Sequence, residues 1–465
     1  MILVDTLPDD SLLAIFDHYV NNEDQSEKQS ERVWQSLVHV CCRWRSIIFA
    51  SPRHLNLRLV CTEKTPARDT LDVWPTLPLV VWCWGIRNVD NIIAVLERRD
   101  RVCQIYLTDV QSSDMEILLA AMQQPFPELT HLSFRSEGET VPVVPDSFLD
   151  GSAPRLEYLW LYGIPFPGLP KLLLSPTHLV ELYLLKIPHS GYITPGAMVT
   201  ALSSLTSLSS FSLGFQSPRS CPDQASRRPP PSTRSVLPVL TSFSFTGVTE
   251  YLEDFVTRID APRLNALHTT FFNDIVFDTP RFMQFISRTP TSRALENAHI
   301  TLRNGDASFD ISSQTSVDGR LSVKILCRGL EWQVSSLEQV CTSCLPPHSM
   351  LEDLYIDEGP DSQSDSKDSD DIENELWLDL LHPFIAVKNL YLSEQFALRI
   401  VPALQELVGD RTMEVLPALQ NVSLKGLQPS GPVREGIAKF VAARQVASHP
   451  IAVYSWANSY RDQVY

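Results

Sequence analysis

The chain has 465 residues, 44% of them hydrophobic, and a formal net charge of −17. A chain of that length and apolar content can bury a sizeable core, and a net charge of that sign repels phosphate backbones, which argues against a nucleic-acid partner. Its nine cysteines, mostly single within apolar runs, do not form a secreted disulfide framework.

Asp5, Asp9 and Asp10 interrupt any export pattern at the start, and no apolar run is long enough to span a membrane, so an intracellular protein, in cytoplasm or nucleus, is expected.

The first predicted element is a short helix entered through Pro8, whose missing N–H costs nothing in a first turn. Leu7, Leu12, Ile15, Phe16 and Tyr19 recur at three- and four-residue steps and make its apolar stripe. After the polar run Asn21 to Arg32, the same step returns in Val33, Leu37, Val40, Cys41, Trp44 and Ile48 and ends at Ser51-Pro52, where proline disfavours helix in its predecessor. So small a pair of helices holds more apolar side chains than it can hide against itself, so some face another chain.

These residues carry a resemblance. Leu7-Pro8-Asp9-Asp10, then Leu12, Leu13 and Ile15-Phe16, then Val40-Cys41-Cys42-Arg43-Trp44-Arg45, resemble the F-box, the helical module that docks on a Skp-family adaptor in SCF-type cullin-RING ubiquitin ligases. The polar run between the two helices is longer than the usual F-box turn. The resemblance implies an F-box helical domain over residues 1–54, with adaptor contacts from Leu7, Pro8, Leu12, Ile15, Phe16, Val40, Cys41 and Trp44.

Beyond residue 55 the pattern changes. Leu55 to Leu59 alternates as a strand does, and Leu79 to Trp84 fits a buried strand. From Val102 an apolar residue is followed by others at the third and fifth places after it: Val102/Ile105/Leu107, Leu129/Leu132/Phe134, Leu156/Leu159/Leu161, Leu179/Leu182/Leu184, Leu208/Phe211/Leu213 and Leu240/Phe243/Phe245. The pattern weakens at Leu264/Leu267 and Leu295/Ile300, then returns at Leu351/Leu354/Ile356, Val387/Leu390/Leu392 and Leu419/Val422/Leu424. Its period, roughly 29 residues, is that of a leucine-rich repeat of one strand and one return helix or turn. The gap from Leu295 to Leu351 is two repeats wide, with Leu321 to Ile325 as the strand inside it.

Helix starts fall between the strands: Ser113 with Glu116, Thr194-Pro195, Thr279-Pro280, Ser335 with Glu338, and Pro432. The asparagine or cysteine expected eight places after the first leucine is apolar at Val110, Ile164, Ile187, Val248 and Leu427, so the repeats resemble leucine-rich repeats only loosely. The expected fold is α/β: a short F-box module, then an irregular leucine-rich-repeat-like β/α solenoid over residues 55–465.

Two segments interrupt it. Residues 217–238 hold six prolines, and residues 357–375 hold nine acidic residues against Lys367; both read as exposed loops.

The search for chemistry finds little. Cys341, Cys344 and His348 have metal-like spacing but lack a fourth ligand, and Cys341 is in register with Leu337 and Val340 on a helix face. No phosphate loop, nucleophile elbow or H-E-x-x-H occurs, so neither a catalyst nor a cofactor is expected. Trp160, Trp332 and Trp377 fall on the apolar pattern of core residues.

By resemblance, the chain is similar to fungal-type F-box proteins with degenerate repeats. That implies a substrate-recognition subunit that joins the Skp-family adaptor and cullin scaffold to an unknown protein substrate. A scaffold acting with the adaptor outside the ligase, and a repeat protein whose first helices are only a cap, remain open. Alternate strand residues point away from the core, which makes Tyr158, Trp160, Tyr162, Tyr183 and Tyr355 the substrate-binding candidates, with Glu181, Leu185 and Asp353 beside them.

Overall fold

The computed structural model describes residues 7–20, 34–52, 54–62, 64–74, 76–85, 89–138, 140–220, 233–272, 279–289, 296–312, 320–344, 351–358, 372–425 and 431–456. Asn21 to Arg32, Val33, Leu295, His348 and Leu427 lie outside these residues. Two compact units emerge, one of Met1–Ile193 with Thr200–Leu208, the other of Thr194–Val199 with Ser209–Tyr465.

In the first unit, helices α1 (Asp9–Val20) and α2 (Cys42–Ala50) flank a helical turn at 34–38. Six strands follow: β1 (Leu59–Cys61), β2 (Leu79–Trp84), β3 (Val102–Thr108), β4 (His131–Arg135), β5 (Tyr158–Tyr162) and β6 (Glu181–Ile187). Each pairs in parallel with the next in chain order. Parallel neighbours need a crossover. Helices Ala67–Val73, Val89–Leu96 and Ser112–Ala121 supply it first, and turns with the four-residue helix Leu169–Leu172 supply it later.

The strand expected from Leu55 begins only at Leu59, because Asn56 takes a left-handed φ of 48° within a turn.

The pattern leucines account for the core. Leu129, Leu156 and Leu179 lie just before their strands and are 0% exposed, and Leu132, Phe134, Leu159, Leu161, Leu182 and Leu184 are at most 4% exposed within them. Each buried side chain of this size contributes about 1.5–3 kcal/mol. The intervening residues, on the opposite face of the sheet, are half-buried: the pattern alternates strictly along β5 and through most of β6.

The helical segment packs on the first β/α crossover. Trp34 Nε1 donates to the Arg58 carbonyl at 3.2 Å, and the Trp34 and Phe49 rings lie 5.2 and 6.2 Å from Trp74. Helices and first strands therefore share one unit, where the sequence draws its boundary at 54/55.

A helix over Pro195–Leu202 precedes β7 (Ser210–Phe215). The second unit continues with β8 (Ser235–Val236), β9 (Ser242–Gly247), β10 (Ile259–Asp260), β11 (Ala266–Phe272), β12 (Asn297–Arg303), β13 (Asp306–Ser312), β14 (Arg320–Leu326), β15 (Asp353–Glu358), β16 (Asn389–Leu392), β17 (Asn421–Lys425) and β18 (Ala452–Trp456). Its sheet runs β7-β9-β11-β14-β13-β12-β15-β16-β17-β18, with β8 and β10 paired separately.

The gap read as two repeats is instead an antiparallel excursion, since β13 runs against both β12 and β14. Its turn is Asn304-Gly305, closed by the Arg303–Asp306 pair, with Gly305 at φ +108°. This is the short-range hairpin signal the repeat spacing conceals.

Other expectations shift at their ends. The helix assigned to a start at Ser335 runs from Leu330 to Cys344. Its first turn is fixed instead by Gln333, whose Nε2 donates to the Arg303 and Cys327 carbonyls at 2.7 and 3.1 Å. Trp332, expected in the core, is 65% exposed on that turn, whereas Trp377 is 1% exposed as the pattern requires.

The described parts of the proline-rich segment include the 3-10 turn Pro218–Ser220 and β8. The acidic segment likewise begins inside β15 and ends inside the helix Asn374–Leu381.

Candidate functional site

Two surfaces carry the residues that the sequence nominates. On the helical segment, Cys41 caps α2, its Sγ accepting from the Trp44 N–H at 3.5 Å. Arg43 ties α2 to the chain entry, donating to the Leu7 carbonyl at 2.5 Å and to Asp9 Oδ1 at 2.6 Å. The Phe16 and Trp44 rings meet at 4.7 Å.

These contacts divide the nominated set. Leu12 and Phe16 are each 1% exposed and hold the helices together, so they offer no surface as they stand. Ile15 and Val40 are 52% and 59% exposed; Pro8 is exposed, and Leu7, Cys41 and Trp44 are half-buried. Tyr19, placed in the apolar stripe by its spacing, is likewise 53% exposed. The sequence carries no signal separating it from Phe16, because both lie within the same stripe.

On the open face of the first unit's sheet, strand register brings three of the tyrosines and Trp160 together. Trp160 stands directly opposite Tyr183, and Tyr158 opposite Glu181. The His131 ring stacks on Tyr158 at 5.7 Å, Tyr158 lies 5.8 Å from Tyr183, and Trp160 stacks on Tyr162 at 5.7 Å. Tyr183 donates its hydroxyl to Glu181 at 2.8 Å. Burial pushes the Tyr158 phenol up, with Tyr183 and Glu181 adding to the effect.

At the far end, Arg135 and Lys186 both lie over the Tyr162 ring, at 4.8 and 4.9 Å. Arg135 is ion-paired to Glu137, a bond that raises its basicity and holds the Glu137 carboxyl low. Residues 62–84 do not fold over these rings. The described ones include the crossover helix Ala67–Val73 and β2, and Trp82 joins the same face, 5.0 Å from Tyr106.

Tyr355 belongs to the second unit, in a ladder of its own. Its ring is 4.3 Å from His299 and 4.2 Å from Tyr391, within 6° of parallel to both. Asp353, nominated as outward, is 7% exposed and is taken up by the hydrogen bond from Asn389.

Among the described residues no group of three or more His, Cys, Asp or Glu could hold a metal ion, and no helix is long and apolar enough to cross a membrane. Cys341 is 0% exposed.

Half-buried rings that stack on one another, edged by a guanidinium and an ammonium, can bind by packing and stacking.

No family model matches the chain, and no curated protein matches it. Among solved structures, the leucine-rich repeat-containing protein LegL7 from Legionella pneumophila is similar, over 83% of this chain and 97% of its own, at 12% identity and a TM-score of 0.28.

Proposed function

We propose that the chain is a substrate-recognition subunit of an SCF-type cullin-RING ubiquitin ligase, with its first helices docked on a Skp-family adaptor and its repeat strands holding a protein substrate. The observation that carries this reading is that Pro8, Ile15, Tyr19 and Val40 of the helical segment are exposed and Leu7 and Trp44 half-buried, in F-box order. Exposed aliphatic and aromatic side chains of this kind are what an interface core requires.

The aromatic faces of the sheets support the second half of the reading, since a purely structural strand would carry Thr, Lys or Glu there. In this role the chain contributes proximity rather than a catalytic group, the transfer to lysine being carried by other subunits.

Co-purification of the full chain with adaptor and cullin tests the reading. Capture of both is expected. Adaptor without cullin would favour a scaffold outside the ligase, and capture of neither would reject the docking role.

A further inference from the structure

We infer that the outer edge of β18 pairs with the β18 of a second copy of the chain, antiparallel across a two-fold axis at Tyr454. Among the described residues β18 is the last strand of the second unit's sheet and pairs with β17 alone. The Ala452 N–H donates to the Gln420 carbonyl at 2.8 Å, so Ala452, Tyr454 and Trp456 direct their backbone groups to β17. Alternate residues of a strand face opposite edges, which leaves Val453 and Ser455 with their N–H and C=O groups on the outer edge.

The side chains show that the core stops short here. Val453 ends the row Leu354, Leu390, Val422, each 0% exposed, and is itself 37% exposed. Ser455, which is exposed, ends the row Ile356, Leu392, Leu424, whose members are at most 1% exposed. On the opposite face Tyr454 ends the row Tyr355, Tyr391, Ser423 and is 54% exposed. An open edge is ordinarily guarded by charge, proline or a bulge within the strand. β18 has none of these: Ala452 to Trp456 pair residue for residue with Asn421 to Lys425, and residues 447–456 hold no Asp, Glu, Lys or Arg.

Charge and symmetry select a second copy as the occupant. Two copies of a chain of net charge −17 repel over most of their surfaces, and this segment brings no charge to the contact. A two-fold axis perpendicular to the sheet runs the second strand antiparallel and keeps both core faces on one side. With Tyr454 on the axis, Val453 of one copy lies opposite Ser455 of the other, and the two exchange both backbone bonds. The axis repeats that pair, so every outward N–H of the two strands finds an acceptor. Tyr454 then meets its own copy as the close, non-hydrogen-bonded pair, about 4.5 Å between Cα atoms. So short a pairing joins little surface, which places the dimer in the weak, reversible class. The inference stands apart from the adaptor reading.

Sedimentation equilibrium of the full chain from about 1 to about 300 μM spans the affinities of small interfaces. The average mass should rise from one chain toward two. Val453→Pro removes an outward N–H from each copy and should keep the chain monomeric at an unchanged melting temperature. Tyr454→Lys sets like charges opposite each other and should weaken association about ten-fold or more, as should Tyr454→Glu. Mixing the two Tyr454 variants should restore the dimer, because the axis then sets an ammonium against a carboxylate.

A monomeric wild type over the whole range, species larger than a dimer, unchanged association in a folded Tyr454→Lys variant, or no recovery in the mixture would overturn the inference. If Val453→Pro lowers the melting temperature, the two Tyr454 variants decide alone, since that exposed side chain leaves the ladder to β17 intact.

Discussion

Asn389 donates from Nδ2 to Asp353 Oδ1 at 2.6 Å, and its own Oδ1 accepts from Asn421 Nδ2 at 2.7 Å. Three consecutive repeats are thus joined by side chains at the strand entry, directly in register from β15 to β17. The apolar residues at the position where a leucine-rich repeat carries its asparagine, Val110, Ile164 and Ile187, are simply buried, at 3 to 5% exposure. Asn389→Ala removes both bonds and should cost about 1–3 kcal/mol. Asn389→Asp sets a second carboxylate against Asp353 and should cost more at neutral pH than at pH 3. Thermal melts of the two variants at both pH values check the order.

The nominated adaptor residues should separate into two behaviours. Phe16→Ala empties a core position against Trp44 and should destabilise the helical segment by about 3–5 kcal/mol. Ile15→Ala, on the exposed side of the same helix, should leave the fold intact and weaken adaptor capture by about ten-fold or more. Circular dichroism beside a pull-down reads both, and an Ile15→Ala variant that binds at full strength would remove Ile15 from the interface.

Gly163 has φ +70°, and a Cβ there would fall inside contact distance of the Ser136 carbonyl oxygen. Gly85 has φ +66° with open space around it. Gly85→Ala should therefore cost only the left-handed backbone penalty, about 1–2 kcal/mol, and Gly163→Ala should cost clearly more. Equal losses in chemical denaturation would show that the Ser136 turn yields.

Stability of the second unit should fall on mild acidification. Burial holds His299 below its ordinary pKa despite Asp357, Asp310 and Asp353 nearby, and Arg320 adds to the lowering. His268 is lowered by burial and Arg320 against Asp310. A base with a depressed folded pKa binds fewer protons folded than unfolded between that pKa and about 6.5. The contribution is therefore fully present above about 6.5 and is lost as pH falls toward the folded value. Denaturation midpoints between pH 7.5 and 5 should drop, and His299→Gln should flatten the slope; an unchanged slope would assign the effect to other groups.

The sequence by itself determined the strands of the repeat pattern, though not β8, β10, β13 or β18. Alternation with a period of two is a local property, and every pattern triplet from Val102 to Leu424 whose residues are described lies in or just before an observed strand. Pro195, Pro280 and Pro432 likewise fix helix starts locally, through the proline ring and its missing N–H.

Tertiary structure alone decided the rest. Spacing assigns Leu12, Ile15, Phe16 and Tyr19 to one stripe, but only packing between α1 and α2 divides Leu12 and Phe16 from Ile15 and Tyr19, because a two-helix contact covers a narrower arc than the stripe spans. Leu321 to Ile325 reads as one more repeat strand, but it pairs in parallel with β11 and antiparallel with β13, a placement that non-local pairing decides. Nothing local marks Arg444 as buried, yet it is 0% exposed, with Nη2 donating to the Val415 and Leu416 carbonyls at 2.6 and 3.1 Å. The row of Trp82, Tyr106, Ser133, Trp160 and Tyr183 joins residues separated by more than twenty positions, and it exists only because five parallel strands stack in register.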